Sequence, residues 1–94
     1  MKTLALTLLV SLALAGAARA DCFVEYKAKQ DDPLRLHYGI LALPGGCPSA
    51  PAAQDAAARR LAAGGWTLLT VLGVSAETPP DQKKANAGDF YLRF

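Results

Sequence analysis

The sequence predicts an α+β domain: a four-stranded, mainly antiparallel sheet in the order strand-strand-helix-strand-strand, with one helix packed on one face. Three observations predict it. Residues 22–29 and 34–43 alternate apolar and polar side chains with the two-residue period of half-buried strands. Residues 50–63 are dominated by alanine, the strongest helix former. Residues 66–75 and 90–94 return to the leucine, valine, threonine and phenylalanine of strands.

The segment before the first strand reads as a cleaved export signal, residues 1–20. Met1-Lys2 is a basic start, Leu4 to Ala15 is an uncharged leucine- and alanine-rich run, and Ala18-Arg19-Ala20 is a small-x-small cleavage site. A spanning helix needs ~20 apolar residues, whereas the uncharged run from Thr3 to Ala18 has sixteen. Lipidation at Cys22 is disfavoured because Asp21 stands where a small residue is wanted. The expected mature chain is one small domain, residues 21–94, periplasmic or secreted from a bacterium, with no membrane span. Removing Lys2 and Arg19 from the ten basic residues leaves eight against eight acidic ones. A chain without net charge has no basic excess for phosphates, so nucleic acid is not an expected partner.

In the first strand Cys22, Val24, Tyr26 and Ala28 share a side, with Glu25, Lys27 and Lys29 largely on the other. The polar cluster Gln30-Asp31-Asp32-Pro33 is a turn signal. Leu34, Leu36, Tyr38, Ile40 and Ala42 share a face of the second strand, so the two runs form a hairpin. That hairpin places Cys22 opposite Leu41 or Ala42, and Pro44-Gly45-Gly46 folds Cys47 back beside it. Cys22 and Cys47 are the only cysteines, and the expectation is a structural disulfide. No Cys-x-x-Cys pair or second ligand pair competes for them. An oxidised cysteine is no nucleophile, so a catalytic Cys-His pair with His37 is the weaker reading.

Ser49 offers its hydroxyl to the first turn of the helix, where Pro51 is tolerated. Ala53, Ala57 and Leu61 make a narrow apolar seam, and Gly64-Gly65 supplies a left-handed stop. Trp66 reads as a plug between helix and sheet. In the third strand Trp66, Leu68, Leu72 and Val74 fall on one face, with Leu69 and Val71 on the other. Residues 76–88 are a long connection with a turn of helix around Asp81 to Ala85. Phe90, Leu92 and Phe94 then alternate with Tyr91 and Arg93 as a fourth strand.

The tract from Leu61 to Val71, with Gly65-Trp66-Thr67-Leu68 at its centre, resembles a small uncharacterised bacterial domain family. In that family a helix ends in Leu-x-x-x-Gly-Trp-x-Leu and a strand hairpin follows. Glu25-Tyr26-Lys27 resembles the family's opening strand and Leu92-Arg93-Phe94 its close. The family usually carries an acidic residue around Gly-Trp, where this chain has Gly64 and Thr67. The whole chain is also similar to small exported hypothetical proteins of Gram-negative bacteria. These likenesses imply the fold and transfer no catalytic residue.

A search for chemistry returns little. His37 has no flanking metal ligands, Ser49 and Ser75 lie in no nucleophile elbow, and Asp31-Asp32 precedes a proline as turns do. No glycine-rich phosphate loop is present. The expectation is therefore no catalytic, metal or cofactor-binding residue and no cofactor. The favoured function is a non-enzymatic binding or self-associating envelope protein, with an unidentified protein or a second copy as partner. Its motive is that Leu41, Leu43, Leu69 and Val71 suggest an apolar second sheet face. The alternative is a minimal small-ligand binder or enzyme with a cleft near His37, Tyr38 and the Lys83-Lys84 loop.

Overall fold

The computed structural model describes residues 21–94, and the export signal expected at residues 1–20 lies outside them. The elements run β1 (Cys22–Gln30), β2 (Arg35–Leu43), α1 (Ala50–Ala63), β3 (Thr67–Ser75), α2 (Asp81–Ala87) and a 3-10 turn (Gly88–Phe90). The class is α+β, but the sheet has three strands, in the antiparallel order β2-β1-β3. The four-stranded sheet of the sequence reading is corrected, and so is its single helix.

β1 and β2 pair from Cys22 opposite Leu43 to Gln30 opposite Arg35. This register is one or two residues beyond the expected Leu41 or Ala42. It puts Cys22, Val24, Tyr26 and Ala28 of β1 on one face with His37, Gly39, Leu41 and Leu43 of β2. Ala53, Ala57 and Leu61 of α1 cover that face and complete a buried core with them. Alanine here lets the helix approach the sheet closely, at the cost of little apolar area per residue. The Ser49 hydroxyl accepts from the Ala52 amide at 3.4 Å, and Pro51 sits in the first turn. At the other end Gly65 takes φ 86°, the left-handed conformation that resists side chains. The Trp66 amide then donates to the Leu61 carbonyl at 2.9 Å, turning the chain into β3.

β3 departs from simple alternation. Tyr26 pairs with Val71 and Glu25 with Gly73, so Leu72 has no partner; Ala28 pairs with Leu68 and Lys27 with Thr70, so Leu69 has none. Two β-bulges therefore carry Leu68, Val71 and Val74 to the α1 face, where they pack against the core. The extra residues Leu69 and Leu72 are extruded, 50% and 48% exposed. The expected face assignment of Leu72, and of Val71, is corrected by these bulges. Leu41, Leu43 and Val71 likewise belong to the core face, leaving Leu69 as the one exposed member of the four that suggested an apolar second face.

α2 spans two residues more than the turn expected at Asp81 to Ala85. It lies over the second face, where Ala87 is buried and Lys83 reaches Glu25 of β1. The fourth strand fails for a local and a tertiary reason. Gly88 and Leu92 both take positive φ, 55° and 56°, which no extended strand allows. The segment makes only a lone parallel bridge between Tyr91 and Ile40, with the Leu92 amide donating to the Ile40 carbonyl at 2.7 Å. Phe90 and Phe94 both turn to His37, stacking on each other at 6.2 Å. Arg60 of α1 holds this tail by donating from Nη1 to the carbonyl oxygens of Ala42 and Phe94, at 2.8 and 3.3 Å.

Cys22 and Cys47 form a disulfide, closing the loop 44–48 onto the start of β1. Among the described residues no helix is long and apolar enough to cross a membrane. Both features are compatible with a protein that works outside the cytoplasm.

Candidate functional site

The expected cleft near His37, Tyr38 and the Lys83-Lys84 loop assembles only in part: Tyr38 and Lys83 meet at Glu25 on the second face, while His37 lies on the other. His37 and Tyr38 are neighbours on β2, so their side chains leave the sheet on opposite faces. His37 points to the α1 face and is 9% exposed. Its Nε2 and the Tyr26 hydroxyl share a hydrogen bond of 2.9 Å. Its ring stacks on Phe90 at 3.7 Å and meets the edge of Trp66 at 4.3 Å. Burial pushes the His37 pKa down from its usual 6.5, and the nearby Arg93 guanidinium adds to the effect. Burial likewise pushes the Tyr26 phenol up to about 12. The result is a neutral aromatic nest of Tyr26, His37, Trp66, Phe90 and Phe94, in which the imidazole is packing material. Among the described residues the buried His37 Nδ1 has no hydrogen-bond partner.

Gly39 shows how tightly this nest is built. A Cβ there would collide with the Tyr26 phenol and stand 3.0 Å from the Phe90 carbonyl. Trp66 is half-buried between α1 and the sheet, as a plug would be, and its ring edge closes one side of the nest.

The serines are committed to the backbone. Ser49 caps α1, and Ser75 Oγ accepts from the Glu77 amide at 3.0 Å. Among the described residues no three metal-ligating side chains converge. Neither serine is paired with a base among the described residues, whereas Lys83 and Tyr38 both meet the Glu25 carboxylate.

The second face carries the more open chemistry. Lys83 Nζ lies 2.8 Å from Glu25 Oε2, on the central strand. Tyr38 sits beside that carboxylate; burial raises its pKa, and the charge and hydrogen bond of Glu25 raise it further. Lys84 turns away, placing its ammonium 5.7 Å from the Tyr91 ring. A cavity of about 250 Å³ opens between Phe23, Glu25 and Ile40, the strand end at Gly73 and the Pro79-Pro80 segment. A broader and shallower groove of about 530 Å³ lies beside the disulfide loop, against Ala52, Ala56 and Arg59. Sequence reading missed Glu25, Gly73 and Phe23 as neighbours. The available signal was a glycine inside an otherwise branched strand, which marks a bulge or a close approach by something outside the strand.

β3 supplies a third feature. Its nine residues contain no charge and no proline, and among the described residues no strand pairs with its outer edge. Proteins usually blunt such edges with charge, proline or bulges, and β3 has only the bulges. No family model, no curated protein and no solved structure matches the chain.

Proposed function

We propose that the chain is an exported, non-enzymatic envelope protein of the periplasm or cell exterior that self-associates through the outer edge of β3. The observation that carries this reading is the uncharged edge with Leu69 and Leu72 about half exposed on it. A second copy is the occupant the strand suits. Two β3 edges meeting antiparallel across a two-fold axis bring no like charges together, and each supplies the backbone donors and acceptors the other lacks. The opposite edge of the sheet is already partly occupied by Tyr91 and Leu92, which directs pairing to β3. The disulfide supports an oxidising compartment.

Light scattering on the oxidised 21–94 chain tests the reading. A concentration-dependent dimer is expected, and Leu69→Lys or Leu72→Lys should return it to monomer without changing the far-UV spectrum, because both side chains face solvent. A monodisperse monomer at the highest soluble concentration, or dimers indifferent to both substitutions, would overturn it.

A further inference from the structure

The cavity on the second face lies beside the proposed β3 interface, with Gly73, Val74 and Ser75 of β3 in its lining. Gly73 lies in register with Glu25, and an added Cβ at Gly73 would meet no heavy atom within 4 Å. Its φ is not in the left-handed range, so the backbone does not demand glycine. Packing does not demand it either, in contrast to Gly39. A missing side chain in a strand otherwise built of leucine, valine, threonine and a terminal serine leaves a floor, which Phe23, Ile40 and Pro79-Pro80 border as apolar walls.

The charges around this space are Glu25, Glu77 and Lys83. Their fixed pole is negative. Glu25 stands on the central strand with its side chain 19% exposed, while Lys83 reaches it from a short helix on a stem that is 50% exposed. The lysine ammonium is thus a tethered cation resting on a preformed carboxylate in a cavity of mixed polar and apolar lining. A long flexible lysine held at half exposure gains little from such a pair, so exchange for another cation costs little.

We infer that this cavity is a binding site for a small primary ammonium compound carrying one ring, with Glu25 taking its charged head and the space above Gly73 taking its body. The cavity is just below the ~300–1,000 Å³ of drug-sized ligand clefts, which suits a single ring on a short chain. Phe23 and the two prolines give the lining an apolar part against which a ligand's ring can pack. Lys83 acts as the internal competitor, occupying the carboxylate until the ligand displaces it.

The probe is 2-phenylethylamine, titrated into isotopically labelled 21–94 protein while the amide resonances of Gly73 and Phe23 are followed. Phenylacetate and 2-phenylethanol, which share the ring but not the charge, serve as comparators. Saturable shifts for the amine alone are expected. Lys83→Ala should tighten binding several-fold, Glu25→Gln should weaken it at least tenfold, and Gly73→Leu should abolish it with the fold intact. Gly73→Ala, a smaller plug, should weaken binding in between and covers the case in which leucine perturbs the sheet. The inference fails if the amine gives no saturable shift up to its solubility limit, if phenylacetate binds as tightly, or if Lys83→Ala weakens the amine.

Discussion

The two faces of one sheet are built to different standards, and their glycines show it. On the α1 face Gly39 is required, because the Tyr26 phenol and Phe90 carbonyl occupy the volume a Cβ would need. On the second face Gly73 borders empty space. The first face is closed by α1, Trp66 and the C-terminal aromatics into an interior without room. The second is bridged by a seven-residue helix and an ion pair, and a cavity remains beneath the Pro79-Pro80 segment. Stability is thus concentrated on one side of β1, which leaves the other side free to exchange contacts.

The largest effect expected of this asymmetry comes from the disulfide, which ties β1 to the loop leading into α1. Closing 26 residues should stabilise the fold by ~3.5 kcal/mol, a large share of what a domain this small can hold. Denaturant melts with and without reductant check it, and equal midpoints would show that the α1 face holds itself together without the link. Next comes the glycine pair. Gly39→Ala should cost about 1–3 kcal/mol by overpacking, whereas Gly73→Ala should be neutral or stabilising by up to about 1 kcal/mol. For a domain of this size each kcal/mol moves Tm by roughly 4–8 °C, so thermal melts of the two variants resolve the contrast. Equal losses would mean that the faces are packed alike.

A subtler effect is expected from pH. His37 is neutral in its nest, with a folded pKa below the ordinary value because of burial and Arg93. The unfolded chain therefore takes up a proton first as pH falls, so stability is whole above about pH 6.5 and declines from there toward the lowered folded value. His37→Gln should flatten this part of the pH profile of stability. An unchanged slope in the variant would remove the imidazole from the explanation. The smallest effect belongs to the second face. Lys83→Met breaks an ion pair whose lysine is half exposed, and should change stability by less than about 1 kcal/mol.

Where the sequence was legible, the signals were local. Ser49, the alanine run and Gly64-Gly65 mark α1 with its observed ends, because capping and propensity act within a few residues. Alternation from Cys22 onward marks β1 and its buried side, and the two cysteines mark their own bond. β3 was visible as a strand, but its faces were not, because a bulge is a property of pairing and Leu69 and Leu72 look like any other strand leucines. The tail misled for a similar reason. Phe90, Leu92 and Phe94 alternate as a strand would, yet the two phenylalanines are drawn to one imidazole and Leu92 turns through positive φ between them. Of the candidate cleft, Tyr38 and Lys83 come together at Glu25 but His37 does not, because adjacent strand residues such as His37 and Tyr38 face opposite sides.

By itself the amino-acid sequence determined the α+β class, the two long hairpin strands, the helix 50–63 and which cysteines can bond. Those outcomes depend on periodicity, caps and counting, all readable over a few residues. The tertiary structure alone decided that three strands form the sheet, that β1 lies at its centre, and that Glu25, Gly73 and Lys83 share a cavity. Such outcomes depend on which distant surfaces meet, and long-range packing chooses among arrangements that local preference leaves equal.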